Sequence, residues 1–484
     1  MNILKNYIYN TLYQILAIII PLITMPYITR IFNPDQLGLN SYSLSIANYF
    51  ILFGTLGMSM YGNRQIAYVR DDSQKLNKTF WSLFFMKLCT CIIAIILYYM
   101  LIFATINENK IIYIIQGISI FCVIFDISWL YAGLEDFKRV VLRNIIVKLI
   151  SVILIFSVIK SQEDLVMYIS ITIIATILGT IVMWINMPKS LLKIDVDIIL
   201  IKSHLKPLIG LFIPQISIQV YGLLSRTMIG WLSATEQVAY YDYSQRIIQI
   251  IITLINSVGT VLMPRVANII SNGNHREVRL LINKSFKYIS YISIPMSCGL
   301  SIVGISFVQW FLGRNYYDVG ILISLTSIII IPVSWANIIG VQYLVAGKKE
   351  NIYTISIIIS AIFNFIINLI TIGKLGAYGA SISLIFAEWI GVIIQMVLVR
   401  KELDIKNMIK GVIKYIIATI PMSIIVYLIG CVLSATFITN VIQVSIGFCI
   451  YVLILFLLKD EVQKDVINKF INLLIKKVDK KISA

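Results

Sequence analysis

An arginine at position 226 stands inside an otherwise apolar run, PLIGLFIPQISIQVYGLLSRTMIGWLS, over 207–233. A fixed positive charge in hydrocarbon costs about 2.5–3.5 kcal/mol on insertion scales, so a chain that keeps one usually turns it toward a cavity. The run ILAIIIPLITMPYITRIF over 15–32 has the same design, a proline-interrupted apolar segment closing on Arg30. Two such segments, one opening each half of the chain, suggest a transporter for something anionic. The competing reading is structural. Arg226 could pair with a neighbouring acid, and either arginine could snorkel to the interface, which is easier for Arg30 near its segment's end.

Other charges within apolar stretches extend the candidate set. Lys87, in FWSLFFMKLCTC, lies a little inside the basic end of its segment, where it could meet an anionic head group or snorkel. Asp242 and Arg246 are four apart, hence on one helical face and able to pair. A self-neutralising pair is the favoured reading, and competition by substrate or a proton for Arg246 is the alternative. Asp126 and Glu388 are deep carboxylates, suited to H+ or Na+ coupling or to service as buried hydrogen-bonded acids. The substrate-binding candidates are therefore Arg226, Arg30, Arg246 and Lys87, and the ion-coupling candidates are Asp126, Asp242 and Glu388. Pro21, Pro26 and Pro214 free backbone carbonyls and are hinge candidates, as is Pro264, although packing kinks are commoner.

Metal and cofactor chemistry finds little support. Cys89, Cys91, Cys122, Cys298, Cys431 and Cys449 fall in apolar spans as small hydrophobes, and His204 and His275 fall in basic loops. No metal or cofactor is expected, with coupling to H+, Na+ or the membrane potential left open.

The elements that must position these residues follow from composition. Of 484 residues 59% are hydrophobic and 13% charged, with mean hydropathy +0.90, whereas soluble domains are near 45–50% apolar and about 25% charged. Apolar spans lie near 8–32, 39–61, 80–104, 111–133, 141–160, 165–186 and 207–233, then 238–262, 286–312, 318–345, 351–373, 377–399, 409–432 and 436–458. That makes an all-α polytopic membrane protein of about fourteen helices. Runs that stay apolar throughout exclude a β-barrel, whose strands alternate. The first span is read as a retained helix rather than a signal peptide.

The net charge of +17 is a matter of topology rather than nucleic-acid binding. Most lysines and arginines recur in every second loop, as at Arg64–Lys78, Lys138–Arg143, Lys189–Lys206, Arg265–Lys287, Lys348–Lys349 and Arg400–Lys414. The positive-inside rule then places both termini in the cytoplasm of a bacterial inner-membrane protein.

Internal repetition divides the chain. QLGLNSYSLSI (36–46) lines up with QVAYYDYSQRI (237–247), LGMSMYGNRQIA with VGTVLMPRVA, and LYAGLED (130–136) with LVAGKKE (344–350). The expected organisation is a bundle of about six helices over 1–200, a second over 201–400, two extra helices in 401–458 and a basic tail over 459–484. In the tail, Val462, Val466, Phe470, Leu474 and Val478 recur at i+4, which reads either as an amphipathic helix on an anionic leaflet or as a solvated basic tail.

YQILAIIIPLITMPYITRIF followed by LGLNSYSLSIANYFILFGTLGMSMYGNRQIA resembles the start of Wzx-type oligosaccharide repeat-unit flippases, of the superfamily that includes multidrug antiporters and the lipid II flippase. FIPQISIQVYGLLSRTMIG, YDYSQRIIQ, VLMPRVA and FNFIINLITIGKLGAYGASISLIFAE agree, so the resemblance covers nearly the whole chain. It implies a V-shaped, two-bundle MATE-like exporter working by alternating access. Its substrate would be an undecaprenyl-pyrophosphate-linked repeat unit, moved from inner to outer leaflet for capsule, exopolysaccharide or O-antigen assembly. The partners implied are membrane lipids, a polysaccharide polymerase and glycosyltransferases, with no nucleic acid. One departure is Ser225, where such proteins often carry an aspartate before the basic residue.

Two alternatives stand beside this reading. A multidrug or organic-ion antiporter of the same superfamily is the runner-up. A membrane polymerase or glycosyltransferase would need a large outer loop with catalytic groups, but the outer loops NPDQLG, TINENK, SQED and SATEQ are short.

Overall fold

Helix starts in this chain are marked by side chains that cap them. Asn33 and Gln36 form a reciprocal capping box ahead of Pro34, opening α2 (Pro34–Thr55) after α1 (Ile3–Ile31). Asp72 accepts bonds from the backbone N–H groups of Gln74 and Lys75 and starts α4 (Ser73–Thr105), which follows α3 (Met58–Val69). Asp197 caps α9 (Ile198–Leu232) in the same way. Between them run α5 (Lys110–Ile124), α6 (Ser128–Gly133), α7 (Phe137–Val158) and α8 (Leu165–Ile185). The computed structural model describes residues 3–257 and 262–468.

The second half continues with α10 (Thr235–Ser257), α11 (Leu262–Ser271) and α12 (His275–Phe311), the last capped by Asn274. Then come α13 (Tyr317–Thr326), α14 (Ile330–Ala336), a π-helical stretch over Asn337–Val345, and α15 (Glu350–Leu375). The series ends with α16 (Ala377–Val399), α17 (Ile405–Val432) and α18 (Phe437–Leu457). No strand occurs among the described residues. Among the described residues helix makes up most of each expected span, and eleven helices are long and apolar enough to cross a membrane. The eleven do not include the spans near 8–32, 207–233 and 238–262, the first of which shows a shorter apolar helix, Ile18–Ile31. The protein is a multi-pass, all-helical membrane protein.

The chain forms two compact units, Met1–Ala239 and Tyr240–Ala484, so the division falls later than the expected 200/201. The reason is the packing of α9. Thr227 on α9 bonds to Ser45 and Tyr49 on α2, and Tyr42 fills the space where a Cβ on Gly230 would lie. Just beyond α9, the Thr235 hydroxyl donates to the Asp35 carboxylate, and its carbonyl would sit 1.8 Å from a Cβ on Gly38. An aromatic core in this unit joins Phe80, Trp81, Phe84, Trp129, Tyr131 and neighbouring apolar residues near the basic loops.

In the second unit α15 and α16 meet along a buried polar seam. The Asn364 amide donates to the Ser383 hydroxyl, which donates back to the Asn364 carbonyl, and Gln395 donates to Ser356. Polar groups and close small-residue contacts hold helices together where lipid gives no hydrophobic drive. Helices α17 and α18, expected as an appendage, pack on α12 and on each other within this unit. Beyond α18 the chain is helical again over 461–468. There Asp465 accepts bonds from Lys284 and Tyr288, and Gln463 from Tyr291, so Val462 is buried against protein. Phe470, Leu474 and Val478 lie outside the described residues.

Candidate functional site

The fourth apolar span is not one helix. It breaks between α5 and α6 at Phe125–Ile127, leaving backbone groups that must find partners. Asp126 sits in the break. Its Oδ1 accepts the Ser128 N–H at 2.9 Å, starting α6, and its Oδ2 pairs with Arg143 Nη2 of α7 at 3.3 Å. Its main-chain carbonyl accepts a bond from Lys87 Nζ of α4 at 2.8 Å. Trp184 of α8 donates its indole N–H to the adjacent Phe125 carbonyl at 2.8 Å. Four helices thus converge on one interruption.

Lys87 is 3% exposed, so it does not snorkel. Arg143 and Asp126 side chains are 11% and 29% exposed. Two cations therefore face one carboxylate, and the carboxylate is the more accessible member. Asp126 had been expected as a deep acid on a continuous helix; it is instead a capped, ion-paired residue at a helix break. Arg143 was read from sequence only as one of the basic residues that set topology, yet it enters the cluster because α7 starts at Phe137 and carries it inward.

The other candidates are distributed along both units. Arg226 lies in α9 within Met1–Ala239, half-buried between the buried Ser225 and the half-buried Thr227. Arg30 is exposed near the end of α1 and donates from Nη1 to the Pro26 carbonyl at 2.7 Å, a carbonyl one turn back on its own helix. Pro21 and Pro26 lie inside α1 without ending it, and Pro214 falls within the helical backbone of α9. Asp242 and Arg246 pair as their spacing predicts: Arg246 Nε and Nη2 both reach Asp242 Oδ2 at 2.9 Å, with Asp242 2% exposed. The Arg246 guanidinium also sits 5.4 Å from the Tyr243 ring centroid. Glu388 is half-buried in α16 and adds its charge to the surroundings of Tyr353 in α15. Among these candidates, the structure brings Lys87 with Asp126, and Asp242 with Arg246.

The fourth span departs from a regular α-helix in both halves. The second span breaks at Leu56–Gly57, both with positive φ (47° and 74°), and the fourth at Asp126. In the second half the fourth span carries the π-helical stretch Asn337–Val345. Interrupted helices in a membrane bundle tend to line binding sites, because freed backbone groups are tolerated only inside protein or beside water.

Fold and charge placement together define a membrane transporter built from two helical units. Matches to known families then give the particular group. The family described as Polysaccharide biosynthesis protein matches residues 3–270, and Lipid II flippase MurJ matches 140–448. The chain belongs to the polysaccharide biosynthesis protein family over 3–270 and to the lipid II flippase MurJ family over 140–448; it is a Wzx-type member of this exporter superfamily. Two relatives named "Putative O-antigen transporter" are similar to it. That of Escherichia coli (strain K12) is 21% identical over 83% of this chain and 98% of its own. That of Shigella dysenteriae is 23% identical over 76% and 92%. Among solved structures, an inward closed conformation of lipid II flippase MurJ superposes with TM-score 0.75 at 17% identity, covering 96% of this chain and all of that one. An inward-facing multidrug MATE transporter superposes with TM-score 0.63 at 12% identity, over 78% and 92%.

Proposed function

We propose that this protein is a flippase that moves undecaprenyl-pyrophosphate-linked oligosaccharide repeat units from the inner to the outer leaflet of a bacterial cytoplasmic membrane. The products would feed capsule, exopolysaccharide or O-antigen assembly. The observation that carries the reading is the break at Asp126, where Lys87 bonds the main-chain carbonyl and Arg143 pairs with the carboxylate, two cations beside one acid. A lipid-linked diphosphate head must cross hydrocarbon, and fixed cations at a helix interruption lower that barrier. A site for cationic drugs would favour acids instead.

The energetics agree. A head with about two negative charges leaving a negative interior gains about 2.3 kcal/mol per charge per 100 mV, so the potential alone assists export by roughly 4–5 kcal/mol. Alternating access would then need only a pathway, with H+ or Na+ coupling as an addition. Asp126, Asp242 and Glu388 are the carboxylates proposed for such coupling. Arg226, Arg30 and Arg246 are the proposed substrate contacts, the buried Lys87 holds the break instead of meeting substrate directly, and Pro21, Pro26 and Pro214 are the proposed hinges. Both termini would be cytoplasmic, with a polymerase and glycosyltransferases acting on either side of the step.

Deleting the gene tests the proposal. Lipid-linked oligosaccharide should accumulate on the inner leaflet while surface glycan is lost, and the intact gene should restore both. Normal surface glycan together with new drug sensitivity would overturn the flippase reading in favour of a multidrug antiporter.

A further inference from the structure

The cluster at the α5–α6 break is electrostatically incomplete. Lys87 and Arg143 bring two positive charges and Asp126 one negative, in a place where a surplus charge is costly. Arg143 has further donor capacity. Its Nη1 reaches only the neutral Asn144 oxygen at 3.0 Å, and its buried Nε has no hydrogen-bond partner. Guanidinium offers five donors in a planar fork suited to phosphate oxygens. The fork is also held in place: a Cβ on Gly179 would lie 3.1 Å from Arg143 Nε and 2.2 Å from Val147 Cγ2, so the missing side chain lets α8 close over it. Meanwhile the Asp126 carboxylate is the most accessible of the three charged groups.

From this geometry we infer that Lys87, Asp126 and Arg143 form a self-occupied anion site. Asp126 holds the Arg143 fork until a phosphate or diphosphate group displaces it, and Lys87 keeps the break in shape from behind. The inference rests on the flippase reading for its natural ligand, the diphosphate of a lipid carrier, and assigns Arg143 as a specificity-determining residue. Exchange of one anion for another on a fixed fork avoids ever exposing an unpaired guanidinium. The bond from Asp126 Oδ1 to Ser128 gives the carboxylate a second anchor when Arg143 is taken.

Trp184 supplies a reporter, because its indole bonds to the residue next to Asp126. The full-length protein in nanodiscs would be titrated by tryptophan fluorescence with inorganic pyrophosphate and, separately, with farnesyl diphosphate, with W184F as the signal control. Saturable binding of both probes is expected, and R143Q should weaken it roughly tenfold or more while R143K keeps part of it. The decisive variant is Asp126→Asn, which keeps the cap on Ser128 but removes the competing charge. It should bind pyrophosphate several-fold more tightly than the wild type. Weaker or unchanged binding in D126N, or no effect of R143Q, overturns the site. If D126N and Asp126→Ser both fail to fold, the carboxylate is a structural brace and the proposal also falls. Binding of farnesyl diphosphate alone would assign the signal to the lipid chain and remove the anion site. Restoration of surface glycan by the wild-type gene is scored separately. A failed titration with intact export sinks only this inference, and failed export sinks the flippase reading.

Discussion

Arg226 and Arg143 carry the same charge into different surroundings, and only one of them stood out in the sequence. Arg226 is conspicuous because apolar residues flank it on both sides, whereas Arg143 follows Lys138 and Arg139 and reads as part of a basic loop. Only the fold shows that α7 has already begun and carries Arg143 to Asp126. Spacing was sufficient for the Asp242–Arg246 pair, because both residues lie on one helix. It could not supply Lys87–Asp126–Arg143, which needs three separate elements to meet. Arg226→Ala should abolish export in a complementation assay, while Arg226→Lys keeps some; equal activity in all three proteins would remove Arg226 from the mechanism. Arg246→Gln removes the arginine that pairs with the buried Asp242 carboxylate. It should cost about 1–3 kcal/mol, read as a lower thermal midpoint in detergent, with part recovered in the double variant D242N/R246Q.

At the scale of elements, helices start at the caps Asn33, Asp72 and Asp197, but the breaks within spans were not legible. Apolar composition continues unchanged through Leu56–Gly57 and through Asn337–Val345, so no hydropathy reading finds them. Close helix contacts show the same limit. A Cβ on Gly379 would lie 2.7 Å from the Thr371 carbonyl, at the turn where α15 passes into α16. Gly379→Ala should therefore lower the thermal midpoint, whereas Gly373→Ala, where a Cβ meets nothing, should not. The loop after α16 carries a pH-sensitive contact. Burial would raise the Glu402 pKa, but bonds from Lys349 and the Tyr343 hydroxyl outweigh it and hold the carboxylate below its usual range. A depressed carboxylate stabilises the fold above its unfolded pKa, and the stabilisation is lost as pH falls through the lower folded value. Thermal midpoints measured from pH 7 down to pH 3 should drop less steeply in E402Q than in the wild type.

At the scale of the molecule, composition and charge were enough for an all-helical membrane protein, and the order of loose motifs was enough for its family. The boundary between the halves was not legible. The expected division at 200/201 falls inside α9, which belongs with the first unit through Gly230, Thr227 and Tyr42. Fragments 1–233 and 234–484 expressed together should therefore restore export better than 1–196 and 197–484, because the second cut strips α9 from its partners. The opposite ranking, measured as surface glycan in the deletion strain, would show that the contacts of α9 within the first unit do not decide assembly.

The ends of the two fourth spans have a consequence of another kind. Each stops in the left-handed region on a residue that is not glycine, Glu135 with φ 60° and Lys348 with φ 57°. Each stop is closed by the same wide turn, from Asp136 N–H to the Tyr131 carbonyl and from Lys349 N–H to the Leu344 carbonyl, both at 2.8 Å. The two stops differ in chemistry and are offset by one residue against the aligned glycines, Gly133 and Gly347. If the halves descend from one duplicated gene, what has been inherited here is a torsion angle, not an amino acid. Comparing the halves letter by letter then understates their kinship, and a record of backbone conformation outlasts the residues that first wrote it.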